Sequence, residues 1–259
     1  MSAHNSILNI GRDVITLTGR NLIKYTRLPQ LLVFSTIQPV MFMLLFTYVF
    51  GGALKTGTRD YISYLLPGIL VQTVLFGSMQ TGISLAEDLA RGIIDRFRSL
   101  PMAQSAILAA RTFTDVVRNL FVISLMTGVG FIIGFRIHHG IAHFLGGLCL
   151  VLLFGYAFSW ISATIGLFVK DVETAQVAGF IWVFPLVFAS SIFVPVQTMP
   201  SWLQAFAKHT PITATANSMR ALTLGLPAGD YVQQALLWVA GLLVVFIPLA
   251  VYAYNKKKG

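Results

Sequence analysis

Between residues 87 and 102 the chain reads EDLARGIIDRFRSLPM, a long charged segment with hydrophobic runs on both sides. Glu87, Asp88, Arg91, Asp95, Arg96 and Arg98 lie within it, drawn from a pool of only 18 basic and 9 acidic residues. Such residue types can make or break ion pairs, but they include no nucleophile with a base beside it, so the chemistry on offer is recognition. Leu89, Ile93 and Phe97 recur at steps of four, which on a helix gives one narrow apolar ridge. Glu87–Arg91 and Arg91–Asp95 are spaced i,i+4 and Asp95–Arg98 i,i+3, the spacings at which helical side chains meet. Pro101 then ends the helix. A short charged helix with an apolar ridge is suited to being gripped by a cytoplasmic partner; the plainer alternative is a solvated loop at the bilayer surface.

Other constellations offer less. Arg111, Asp115 and Arg118 fall on one helical face and predict a local charge network with snorkelling arginines rather than an ion pathway. His138, His139 and His143 lack a cysteine or carboxylate companion, which disfavours a metal site. A phosphate-binding loop needs a glycine before its lysine, and no lysine in the chain follows a glycine. Two aromatic stripes remain: Gln72, Phe76 and Gln80 on one segment, and Gln176, Phe180, Phe184 and Phe188 on another. They read either as the wall of a path for an amphiphilic substrate or as ordinary helix packing.

The elements that carry these residues follow from composition. Of 259 residues, 56% are hydrophobic and 10% charged, and the mean hydropathy is +0.78. A soluble domain carries about a quarter charged residues, so this is an all-α integral membrane protein. The alternating segments of about ten residues expected of a β-barrel are absent. Six transmembrane spans are predicted, at 31–50, 61–85, 105–134, 141–169, 174–194 and 233–254, and no internal repeat joins them. An amphipathic interfacial helix over 6–27 precedes the first, with Ile7, Ile10, Val14, Leu17, Leu22 and Tyr25 on its apolar arc. Pro39 predicts a kink in the first span, and Gly130-x-x-x-Gly134 a close helix approach in the third. Cys149, the single cysteine, is expected to pack inside an apolar run. Residues 199–224 predict two short re-entrant outer helices broken at Thr210-Pro211, the first capped by Ser201.

Thirteen of the 18 Lys and Arg residues fall on one side of this arrangement, which predicts both termini in the cytoplasm. The net charge of +9 is thereby a matter of topology, and no nucleic-acid partner is expected. No cleavable leader is legible in the first 27 residues.

The order of parts resembles the permease subunit of type-2 ABC exporters, the daunorubicin-resistance permease branch in particular. The resemblance rests on the interfacial helix before span one, GIIDRFRSLPM (Gly92 to Met102) and LFVKDVETAQ (Leu167 to Gln176). PVQTMPSWLQAFAKHTPITATANSMRALTLG (Pro195 to Gly225) is its most specific part. It implies a half-transporter in a bacterial inner membrane that pairs with a second permease copy and two ATP-binding subunits. The chain itself would be no enzyme and hold no cofactor, with ATP and Mg on the partner subunit. It further implies that residues 87–101 form a coupling helix seated in the ATPase. Leu89, Ile93 and Phe97 would be the apolar contact and Arg91, Gly92, Asp95, Arg96 and Arg98 its rim. Lys170, Asp171 and Glu173 would add a second, smaller contact. The function so implied is export of a hydrophobic or amphiphilic drug, antibiotic or lipid-like compound. Export of a lipid-linked glycan or cell-wall precursor, or an ATP-independent secondary transporter, are the competing readings.

Overall fold

A computed structural model of the chain describes residues 16–19, 30–52, 60–93, 104–169, 171–227 and 229–256. The described residues are helical wherever they are regular. α1 (Gln30–Leu45) continues through Pro39 and runs on into a π turn at Phe46–Phe50. Then follow α2 (Tyr61–Ala90), α3 (Gln104–Ile133), α4 (Ile141–Phe168) and α5 (Val172–Phe188). A 3-10 turn (Val196–Thr198), α6 (Ser201–Ala207), α7 (Pro211–Leu224) and α8 (Tyr231–Lys256) complete the order.

Four of these are long and apolar enough to cross a bilayer: Tyr61–Ala90, Leu108–Ile133, Ile141–Phe168 and Tyr231–Tyr254; Thr36–Phe50 and Val172–Phe188 are shorter apolar helices. The fifth predicted span, drawn to residue 194, ends instead at Phe188. At about 1.5 Å per residue its 17 residues reach about 25 Å, short of roughly 30 Å of hydrocarbon. The apolar run continues, but Ser190 Oγ folds back onto Val187 O at 2.6 Å and the chain turns. The helix pair expected near 199–224 is present and broken at Thr210-Pro211. Thr210 caps α7 by accepting from Thr213 N at 3.2 Å. Ser201 caps nothing: it is the first residue of α6, after Pro200.

α2 is the axis of the bundle. It packs against α1, α3, α4, α5 and α7, and most extensively against α4. Every residue from Tyr61 to Leu75 is buried, which is why this segment is apolar all round rather than striped. Its crossing with α4 is tight because Gly82 and Gly166 lie backbone to backbone, with no room for a Cβ on either. The pair singled out by spacing does something else. Gly130 faces the Leu66 side chain, and Gly134 ends α3 at a positive φ of 123° with nothing against it. Cys149 also departs from expectation, being exposed on the outside of α4 rather than packed.

Two apolar clusters show how the helices alternate in direction. Leu85, Leu108, Trp160, Ala163, Leu167, Ala250 and Tyr254 gather at one end. Thus the end of α2, the start of α3 and the ends of α4 and α8 lie together. Tyr61, Phe135, Phe144, Ile192, Phe193, Ile212 and Met219 belong to the large remaining cluster, which extends to the opposite end. In the N-terminal segment, helical residues 16–19 lie at the first of these ends, where Thr18 Oγ1 donates to Ala110 O at 3.3 Å. The rest of the predicted interfacial helix lies outside the described residues.

Candidate functional site

At the end where α2 meets α3, charges are arranged in cross-braced pairs. Glu87 and Arg91 meet at 2.5 Å as the i,i+4 spacing predicts, with Arg91 well exposed. Arg111 does not join Asp115; its Nη1 reaches across to Asp88 Oδ2 on α2 at 2.9 Å. Asp115 is buried and accepts from Thr81 Oγ1, with Arg118 Nη1 at 3.5 Å. Arg118 Nη2 in turn donates to Gly77 O at 2.5 Å and Asn119 Oδ1 at 3.2 Å. The expected network on α3 is therefore a clamp between α2 and α3. Asp115 and Arg118 keep the expected i,i+3 contact within α3, while Asp88, Thr81 and Gly77 of α2 supply the remaining partners, as buried charges need.

α2 continues to Ala90, so Glu87, Asp88 and Leu89 are its last turns rather than part of a separate helix. Gly92, at φ 66°, ends it. Leu89 packs on the bundle's own cluster with Leu85 and Tyr254, so the first member of the predicted ridge faces inward. Arg91 and Gly92 are exposed and Ile93 half-buried. Asp95, Arg96, Phe97, Arg98 and Lys170 lie outside the described residues. Asp171 and Glu173 are exposed at the start of α5. Asp171 is its N-cap, accepting from Thr174 N at 2.7 Å and Thr174 Oγ1 at 2.8 Å. These hydrogen bonds, the backbone one foremost, hold its carboxyl below the usual range.

The two aromatic stripes meet. Phe76 of α2 lies edge-on to Phe184 of α5 at 5.9 Å and 6.4 Å from Phe180. From there the rings step along α5, Phe180 to Phe184 at 6.0 Å and Phe184 to Phe188 at 5.2 Å. Phe188 passes to Phe193 at 5.4 Å, and Phe193 to Phe46 of the π turn at 4.4 Å. The result is a continuous ladder of rings along one flank, and Phe180, Phe184 and Phe188 are 42%, 41% and 46% exposed. The amides of the stripes do not share this flank evenly. Gln80 and Gln176 are exposed, whereas Gln72 is buried with its Oε1 unpartnered among the described residues.

One functional-looking residue was singled out by no chemistry in the sequence, though it lies in the Pro195 to Gly225 stretch. Arg220 of α7 is buried and spends all five N–H donors on neutral acceptors. Nε donates to Tyr64 O at 2.8 Å. Nη1 reaches Asn217 Oδ1 at 2.8 Å and Ser191 Oγ at 3.1 Å; Nη2 reaches Ser191 O at 2.7 Å and Ile192 O at 3.0 Å. Its guanidinium also stacks 3.7 Å above the Tyr64 ring. The turn that cuts α5 short is thus held by α7 and tied to α2. Asn217 three residues before an arginine, in a helix whose other polar residues are only Thr and Ser, was the available signal. The histidines take a lesser part: His138 N and His139 N both donate to Thr223 O, at 3.0 and 3.1 Å, and the rings of His139 and His143 stack at 4.0 Å.

A family model described as ABC-2 type transporter matches residues 12–224. The chain belongs to that family. It is 35% identical over 243 residues to the daunorubicin resistance ABC transporter permease protein of Streptomyces coeruleorubidus, covering 94% of this chain and 86% of the relative. It is 28% identical over 233 residues to the doxorubicin resistance ABC transporter permease protein of Mycobacterium tuberculosis strain H37Rv, covering 84% and 79%. These relatives are permease subunits, and the membrane-length helices of this chain make it a multi-pass membrane protein of the same kind.

Proposed function

We propose that this chain is the transmembrane half of an ATP-driven exporter of a hydrophobic, ring-containing drug or similar amphiphile. A second permease copy and two separate ATP-binding subunits complete it, the latter carrying ATP and Mg. The observation that carries the reading is the half-exposed ladder of Phe180, Phe184 and Phe188 beside Phe76, in a chain similar nearly end to end to a permease named for daunorubicin resistance. Stacked rings accept planar aromatic compounds without demanding one hydrogen-bond pattern. On this reading the flank formed by α5 and the π turn faces the second copy, and the path runs between the two ladders.

The grip for the motor is the segment that follows Ala90, on the cytoplasmic side, with Asp171 and Glu173 as its smaller neighbour. α2 runs unbroken from this end to the other, and the clamps to Arg111 and Asp115 tie α3 to it. A push delivered at residues 91–101 therefore moves two helices together rather than bending a loop. The test is uptake of doxorubicin into inverted vesicles holding the permease with its ATPase. ATP-dependent accumulation is expected. It should fall several-fold in the Phe180→Ala/Phe184→Ala double variant and vanish in Phe97→Asp with membrane insertion intact. Accumulation that proceeds without the ATPase, or unchanged rates in both variants, refutes the proposal.

A further inference from the structure

Around Arg220 the bundle encloses a cavity of about 1110 Å³ between α7, the chain near Val196 and the first turns of α8. Its wall includes Lys208, His209 and Arg220 and no acidic residue. The charge of Arg220 meets only neutral acceptors, so among the described residues nothing cancels it. Lys208 and His209 are exposed at the cavity, and His209 Nδ1 is engaged with Ala205 O at 2.9 Å. The potential inside is positive, from one buried charge and one at the rim.

The other wall is of opposite character. Leu237 and Trp238 of α8 line the cavity and are 64% and 43% exposed on the bundle's outer flank. Beyond them Val244 and Val245 carry the apolar surface on along the same helix. Tyr231, Gln234, Trp238 and Gly241 fall on one face within three turns of the start of this span. At about 1.5 Å per residue this face runs from Tyr231 at headgroup depth, where Tyr belongs, about 15 Å down towards the middle of the bilayer at Gly241. A cationic recess that opens sideways onto hydrocarbon suits one kind of occupant, a phosphate carried on acyl chains.

We propose that this cavity binds an anionic membrane lipid. Its phosphate sits by Lys208 and His209, drawn by the charge of Arg220, whose own donors are all engaged, and its chains lie along Leu237 and Trp238. The volume stands just above the roughly 300–1,000 Å³ typical of small-ligand sites and leaves room for a glycerol backbone. The site adjoins the far end of the ladder, since Ser191 and Pro195 on either side of Phe193 line it, but no ring of the ladder does, and it stands whether or not the chain exports drugs.

The test uses the purified full chain in detergent, titrated with dioctanoyl phosphatidylglycerol, dioctanoyl phosphatidylcholine or inorganic phosphate, with the unfolding midpoint as readout. Phosphatidylglycerol is expected to raise the midpoint saturably and the choline lipid much less. Lys208→Gln/His209→Gln should weaken the apparent Kd by about fivefold, the scale of a partly exposed charge pair, with the lipid-free midpoint unchanged. Trp238→Ala should lessen the advantage of dioctanoyl over dihexanoyl phosphatidylglycerol. Equal stabilisation by the choline lipid, an unshifted Kd in the double variant, or inorganic phosphate matching the lipid would each overturn the proposal.

Discussion

Gly166→Ala adds one methyl group at the point where α4 crosses α2, and its cost can be worked from the contact. A Cβ there would stand 2.8 Å from both Cα and the carbonyl carbon of Gly82, and nearer still to its oxygen. All three atoms are backbone, so no side chain can rotate away and the two helices must part. Overpacking of this kind costs about 1–3 kcal/mol, and a wholly backbone contact belongs at about 3. Replacing a mid-helix glycine returns about 1 kcal/mol of helix propensity, leaving a net loss of about 2 kcal/mol. Gly146 provides the control: it lies on the same helix, and an added Cβ meets nothing within 4 Å. Gly146→Ala should gain up to about 1 kcal/mol, so two single-methyl changes on one helix should differ by about 3. Unfolding by dodecyl sulfate titration, followed by circular dichroism, reads this difference. A Gly166→Ala protein as stable as its parent, or a Gly146→Ala protein equally weakened, would refute the argument that this crossing sets the bundle.

Two further predictions follow from particular bonds. Arg220→Lys keeps the charge but offers three donors in place of five, leaving at least two of these charge-assisted bonds unmade at about 1.5–3 kcal/mol each. The expected loss is about 3 kcal/mol in the same titration, and a silent substitution would show that the tie is dispensable. At Asp171 the folded carboxyl titrates below its ordinary value. The stabilisation of the α5 cap is therefore fully present above about pH 3.9 and is lost as pH falls through the lower folded value. Amide exchange at Thr174, corrected for its intrinsic rate, should hold steady down to about pH 3.9 and quicken as pH falls below it. Asp171→Asn, which caps without titrating, should hold that protection constant, and a pH response surviving in this variant would exclude the carboxylate as its origin.

The break between α6 and α7, the rough places of the four membrane-length helices and the kinship with drug-resistance permeases were legible in the sequence. Each depends on local chemistry or on motif order: Thr210 beside Pro211 ends one helix and caps the next, and charge asymmetry separates the two ends. The aromatic stripes could also be drawn, because i,i+4 spacing alone aligns Phe180, Phe184 and Phe188. That α2 supplies Phe76 to them is a tertiary fact. Periodicity loses its power in a chain where nearly every helix is apolar on every side, since α2, lying in the middle of the bundle, has no polar face to mark its orientation. Hence Asp88 rather than Asp115 holds Arg111, Gly82 and Gly166 rather than Gly130 and Gly134 make the close crossing, and Leu89 turns inward. α5 stops at Phe188 because Ser190 folds back on its last turn and Arg220, some thirty residues later, captures the carbonyls that follow. Pairings of this sort depend on which helices lie side by side, a distance that spacing along one strand of residues does not contain.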